Sequence, residues 1–359
     1  MGLPDWVPVR DELRELEPYG APQIRDIINL NVNENPYPPA TSVVADIAES
    51  VRAAAASLNR YPDREAVDVR TALAGYLGHG LTPERIWAAN GSNEVMLQVL
   101  QAFGGPGRTA LSFAPTYSMY PEYARDSHTR WVTGQREDDF TVDPDRAVAL
   151  IGQEQPDVVL MASPNNPTGT ALPLDTVEAV LDAAPGVVVV DEAYAEFRRA
   201  GTPTSLELLD GHPRLLVSRT MSKAFALAGG RLGYLAADAA IIDALRIVRL
   251  PYHLSAVSQA TALAALRHAD ELLARVDDLR AARDDLAAWL TARGHEVAES
   301  DANFVLFGRF DDRHAVWQGL VDRGVLIRET GPEGWLRVSV GTPAEMSTFY
   351  TALEEVTAR

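Results

Sequence analysis

Short apolar runs alternate with helical stretches through the middle of the chain. Runs at 109–113, 158–161, 187–190, 215–217 and 232–236 read as strands, and the run at 187–190 is four consecutive valines. Such runs carry no polar alternation, as expected of strands covered on both faces. Upstream, an alanine-rich pattern predicts a helix over 41–58 and a second helix over 65–77. Val95, Met96, Val99 and Leu100 then recur at helical spacing after Gly91-Ser92-Asn93. Strands alternating with helices predict an α/β fold with a parallel sheet. A long, bent helical stretch over 258–293 leads into a smaller domain with strands at 303–307 and 335–340. Met346, Phe349, Tyr350 and Leu353 mark the apolar face of a last helix. The polar, proline-rich stretch 11–37 has no apolar period and is expected to lie as an arm over another surface. The division expected is an arm at 1–40, a large domain at 41–255 and a small domain at 256–359.

The 359 residues suffice for two domains at roughly 100–200 residues each. A net charge of -18 argues against a nucleic-acid or anionic-membrane surface. An anionic substrate would need a local arginine pocket within that acidic shell. The absence of cysteine excludes disulfides, thiolate catalysis and zinc–thiolate sites, and no metal site is expected. Met1 to Trp6 contain no basic region followed by an apolar one, so no leader is expected. No apolar run approaches the length of a membrane span. These features fit a cytoplasmic protein.

One charge stands out. The chain holds 31 arginines and a single lysine, Lys223. Arginine stays protonated in proteins, whereas a desolvated lysine can become a neutral amine and form a Schiff base with an aldehyde. The neighbouring motifs suit pyridoxal phosphate as that aldehyde. Asp191, just past the valine strand, can hold a proton on a pyridine nitrogen, and Glu192 would face the other way. Asn166 and Tyr194 can donate to the ring's phenolic oxygen, which favours the phenolate and lowers the pKa of the Schiff base. Tyr117 can cover the ring face. Ser222, Arg231 and Thr220, with Ser92 and Asn93 at a helix start, can hold the phosphate. Each of these residues ends a predicted strand or opens a helix, where open α/β sheets bind ligands.

These blocks resemble the fold-type-I pyridoxal-phosphate aminotransferases and, more narrowly, the histidinol-phosphate aminotransferase family. The resemblance runs from Asn33-Glu34-Asn35-Pro36-Tyr37 through Arg60-Tyr61-Pro62-Asp63, Ser163-Pro164-Asn165-Asn166-Pro167-Thr168-Gly169, Asp191-Glu192-Ala193-Tyr194-Ala195-Glu196-Phe197 and Arg219-Thr220-Met221-Ser222-Lys223-Ala224-Phe225 to Leu336-Arg337-Val338-Ser339-Val340-Gly341-Thr342. It implies a mostly parallel seven-stranded sheet flanked by helices, a smaller α+β domain, and a homodimer with its sites at the subunit interface. Tyr61 would reach the partner's cofactor phosphate. Arg337 would take the substrate's acidic group, with Arg328, Tyr19 and Asn33 as further substrate contacts. The implied reaction passes an amino group between L-histidinol phosphate with 2-oxoglutarate and imidazole-acetol phosphate with L-glutamate, in histidine biosynthesis. An aromatic amino acid aminotransferase or a phosphoamino-acid decarboxylase would share the cofactor residues. Gly230 departs from the bulkier apolar residue frequent before the arginine.

Overall fold

The computed structural model describes residue 4 and residues 6–358. Met1, Gly2, Leu3 and Asp5, part of the stretch on which the leader reading rests, lie outside the described residues. The arm contributes one short strand, β1 (Ile28–Asn29). Two helices follow, α1 (Thr41–Ala55) and α2 (Val67–Leu77). The large domain continues through β2 (Ile86–Ala89), α3 (Ser92–Phe103), β3 (Thr109–Ala114), α4 (Tyr120–Asp126), β4 (Arg130–Gln135), α5 (Pro144–Glu154) and β5 (Val158–Ala162). It is completed by α6 (Leu174–Ala183), β6 (Val187–Asp191), β7 (Leu215–Thr220), β8 (Gly233–Ala236) and α7 (Ala239–Val248).

These strands form one seven-stranded sheet in the order β2-β8-β7-β6-β5-β3-β4. The pairs β3–β4, β3–β5, β5–β6 and β6–β7 are parallel, and β8 runs against both its neighbours. The valine strand lies at the centre. Val188 and Val190 feed the core on one face, while Val187 and Val189 feed the core on the other. Each such side chain taken from water contributes about 1.5–3 kcal/mol. The same alternation sends Asp191 and Glu192 to opposite faces.

The segment expected as one bent helix is three: α8 (Ala256–Arg267), α9 (Ala269–Leu273) and α10 (Val276–Ala292). Ala262 and Ala265 of α8 lie in the large-domain core with α1 and α2, and Leu273 packs against the cores of both domains. The expected boundary at 255/256 therefore falls at the start of a helix that packs on the large domain. The small domain adds β9 (Glu296–Val297), β10 (Phe304–Gly308), α11 (Arg313–Val321), β11 (Val325–Leu326), β12 (Arg328–Glu329), β13 (Leu336–Ser339) and α12 (Pro343–Thr357). Its antiparallel sheet has the order β12-β13-β10-β9. A reciprocal cap between Thr342 and Glu345, with Pro343 in the first turn, starts α12.

The arm is sewn to the small domain, since β1 pairs in parallel with β11. Phe140, in the loop between β4 and α5, crosses from the large domain to pack edge-on against Trp335 at 5.2 Å, beside Leu306. Among the described residues, no helix is long and apolar enough to cross a membrane.

Candidate active site

The carboxyl ends of β3, β5, β6 and β7 open into a cavity of about 460 Å³, closed over by the arm and by β12 and β13. Lys223, Asp191, Asn166, Tyr194, Tyr117, Thr220, Ser222, Arg231, Ser92 and Asn93 all line it. So do Tyr19, Asn33, Arg328 and Arg337. Tyr61 does not: it is 80% exposed and stacks on Tyr252 with ring centroids 4.3 Å apart.

Asp191 sits at the end of the central strand, buried on the face that carries Tyr120. The Tyr120 hydroxyl donates to Oδ2 at 3.1 Å and the Ser218 hydroxyl donates to Oδ1 at 3.0 Å. Burial pushes the carboxyl up to about 6, against the pull of these two hydroxyls and of the Ala193 backbone N–H. Glu192 is spent elsewhere. Arg219 pairs with it at 2.7 Å and Ser205 donates its backbone N–H at 2.7 Å, so it anchors β6 to β7 behind the site.

Lys223 follows β7. Its Nζ donates to the Val32 carbonyl at 2.8 Å, in the arm. Burial, with the cations Arg337 and Arg231, lowers its pKa to about 8. At neutral pH a tenth or so of such an amine is unprotonated, far more than for an ordinary lysine.

One end of the cavity is built for an anion. Arg231, in the left-handed region at φ 51°, points Nη1 at the Ser222 hydroxyl at 3.3 Å, and the Thr220 hydroxyl lies 3.0 Å from the same oxygen. The start of α3 meets this group. Gly91 has φ 90°, and a Cβ there would lie 2.5 Å from Arg231 Nη2. A Cβ on Gly233 would lie 2.1 Å from the Ser92 nitrogen. The two glycines let β8 and the guanidinium come up to the helix start. No side chain caps α3; the Glu94 and Val95 amides turn back to the Gly91 carbonyl, and those of Ser92 and Asn93 are left for a ligand.

At the other side, Arg337 projects from β13. It donates to the Asn31 carbonyl at 2.7 Å and to the Asn166 side-chain oxygen, and its guanidinium lies 5.1 Å from the Phe304 ring centroid. Its Nε has no hydrogen-bond partner. Burial lowers its pKa to about 10. Arg328, its cross-strand neighbour, donates to the Gly20 carbonyl at 3.5 Å, and Tyr19 shares a hydrogen bond with Ser118 at 2.8 Å. Tyr194 receives the Asn33 amide at 2.9 Å and the Asn166 amide at 3.5 Å.

Tyr120, Ser218, Val32 and Asn31 have parts that the sequence reading missed. Tyr120 could have been found by its place three residues after Tyr117 on the opening turn of a helix. The Val32 and Asn31 contacts are made by backbone carbonyls and leave no mark on residue type.

A primary amine, a buried carboxylate, an aromatic cover and an anion cradle around one cavity fit pyridoxal phosphate. Fold and site together define a pyridoxal-phosphate-dependent enzyme of the aminotransferase type. The chain belongs to the aminotransferase class I and II family, whose sequence profile matches residues 25–353. It is 63% identical over 355 residues to the histidinol-phosphate aminotransferase of Thermobifida fusca, covering 99% of this chain and 97% of that one. The Bifidobacterium longum enzyme of the same name is 54% identical over 376 residues, covering 99% and 97%. Among solved structures, histidinol-phosphate aminotransferase from Sinorhizobium meliloti, in complex with pyridoxal-5'-phosphate, superimposes with a TM-score of 0.83 at 29% identity over 92% of this chain and 91% of that one. Aspartate aminotransferase from Thermus thermophilus with maleate gives 0.77 at 26% identity, covering 92% and 90%.

Proposed function

We propose that this enzyme transfers an amino group between L-histidinol phosphate with 2-oxoglutarate and imidazole-acetol phosphate with L-glutamate, in histidine biosynthesis. The observation that carries the reading is Arg337, a buried guanidinium with a free Nε on the same cavity as Lys223. Such a group suits a substrate anion, phosphate in one half-reaction and carboxylate in the other. Arg328 and Tyr19 stand beside it at the mouth. The identity to relatives named for this activity supports the choice of substrate.

Bound pyridoxal phosphate supplies an electron sink and a carbon that accepts and returns the amino group. Arg231, Ser222, Thr220, Ser92 and Asn93 hold its phosphate, and Tyr117 covers its ring. Asp191, clamped at both oxygens, keeps a proton on the ring nitrogen. Tyr194 and Asn166 donate toward the phenolic oxygen. Lys223, the primary amine of the cavity, would hold the cofactor through its aldehyde carbon, and in its neutral form Nζ would accept and return the proton at the substrate carbon. We further infer a homodimer in which Tyr61 reaches the partner's cavity. Exposed Tyr61 stacked on Tyr252, with Ile247 and Leu250 also exposed a few residues before Tyr252 in the chain, supports this. Free small-molecule substrates of amino-acid synthesis support a cytoplasmic place of action.

The test is a transamination assay with L-histidinol phosphate beside a panel of aromatic amino acids, with carbon dioxide release measured in parallel. Preferred turnover of histidinol phosphate is expected. Faster turnover of phenylalanine, or acceptor-independent decarboxylation, would replace the substrate assignment. Lys223→Arg should fold and abolish transamination, and borohydride should fix cofactor mass to one peptide containing Lys223.

A further inference from the structure

Three consecutive arm residues join the two domains at the cavity. Asn31 gives its carbonyl to Arg337, Val32 gives its carbonyl to Lys223, and Asn33 turns between Tyr194 and β13. Asn33 is almost completely buried and sits at φ 57°, a left-handed conformation that asparagine tolerates better than most residues. Its backbone N–H donates to the Ser339 hydroxyl oxygen at 2.9 Å. The Ser339 hydroxyl in turn donates to Asn33 Oδ1 at 2.9 Å. With the serine's one proton on Oδ1, the amide nitrogen is the atom left facing Tyr194, and it donates to that hydroxyl at 2.9 Å. The Asn303 amide donates to the Asn33 carbonyl at 3.1 Å and completes the hold.

We propose that Asn33 is a positioning residue that aims the Tyr194 proton into the cavity, and that Ser339 of the small domain sets Asn33 for that task. A phenol oxygen has one proton and two lone pairs. Asn33 and, more weakly, Asn166 occupy the lone pairs of Tyr194, so its own proton has to leave toward the open side. The seating of the small domain on the arm thereby controls a donor that belongs to the large domain. The Asn33 carboxamide oxygen is held by Ser339 and one of its amide protons by Tyr194, so it acts on the cofactor through Tyr194. The inference rests on the cofactor reading above, in which Tyr194 donates to the phenolic oxygen.

The measurement is the pH midpoint of the visible absorption band of the protein loaded with pyridoxal phosphate. Asp191 from β6, Arg337 from β13 and Tyr19 from the arm are the titratable or charged groups that act on Tyr194, and the substitutions leave all three in place. Asn33→Gly removes the carboxamide while keeping the backbone free to hold φ > 0. It should raise the midpoint by roughly 0.5–1 pH unit, the scale of one hydrogen bond. Tyr194→Phe should raise it at least as far, and the double variant no further than Tyr194→Phe alone. Ser339→Ala should give a smaller rise, and Ser339→Thr should restore the midpoint. Should Asn33→Gly fail to fold, the Ser339 pair carries the test. An unmoved midpoint in Asn33→Gly, or the same added rise in the Tyr194→Phe background, overturns the proposal and leaves the cofactor site intact. An unmoved midpoint in Tyr194→Phe overturns both the proposal and the role given to Tyr194.

Discussion

Asp191 and Lys223 carry opposite charges that burial disfavours, and each is displaced toward neutrality. The Asp191 carboxyl is pushed up to about 6 from an ordinary value of 3.8. The folded protein therefore binds this proton more tightly than the unfolded chain. Its contribution to stability is fully present below the unfolded value and is lost as pH rises through the folded one. Above pH 6 the cofactor-free protein holds a buried carboxylate against three neutral donors, the Tyr120 and Ser218 hydroxyls and the Ala193 backbone N–H. Asp191→Asn keeps the shape and removes that charge. In cofactor-free protein it should raise stability at pH 7 by about 1–2 kcal/mol, with the gain vanishing below pH 4. Urea unfolding across that pH range checks it. With cofactor bound as proposed the sign should reverse, because the carboxylate would then face a protonated nitrogen. Cofactor affinity should fall by at least tenfold in the variant, measured by reconstitution.

The strands that were legible in the sequence are those buried on both faces. The valine strand and its neighbours β5 and β7 announce themselves by unbroken β-branched or aliphatic runs. β4 was missed because it is an edge strand whose Arg130, Thr133 and Gln135 are exposed. β2 is not legible as a strand because Ile86-Trp87-Ala88-Ala89 is short and half alanine, a residue depleted in strands. The site residues at strand ends were readable for the same reason as the strands. The arm's contacts were not, since they depend on where an aperiodic segment settles. The glycines between α3 and β8 are the elements' own contribution to the anion cradle. Gly233→Ala places a methyl carbon against backbone, with no flexible side chain to yield. It should cost about 1–3 kcal/mol of stability and weaken cofactor binding by pushing α3 away from Arg231. Thermal unfolding with and without pyridoxal phosphate separates the two effects. Arg219→Leu, which leaves buried Glu192 with Arg198 at 3.6 Å as its remaining cation, should cost at most about 3–5 kcal/mol without changing any residue that lines the cavity.

At the scale of the whole molecule, Tyr61, Ile247, Leu250 and Tyr252 are exposed aromatic and aliphatic side chains, with Ile247 at 84% and Leu250 at 75%. Tyr61 stacks on Tyr252, so part of this surface is already ordered before any partner arrives. If two copies meet across it with two-fold symmetry, each Tyr61 serves the other copy's cavity. That arrangement makes a prediction that a monomer cannot meet. Lys223→Ala and Tyr61→Ala homodimers should each be strongly impaired. In a mixed dimer, one cavity carries both lesions. The other has an intact Lys223 and receives an intact Tyr61 from its neighbour. Unfolding and refolding the two variants together should therefore restore about one quarter of the wild-type rate at random pairing. Mixing without subunit exchange should restore none. If Tyr61 acts within its own subunit, neither chain of the mixed dimer has a complete cavity and refolding restores nothing. A Leu250→Glu change in either chain should abolish the recovery and leave monomers in sedimentation, because a buried, unpaired carboxylate at the interface outweighs the apolar contact it replaces.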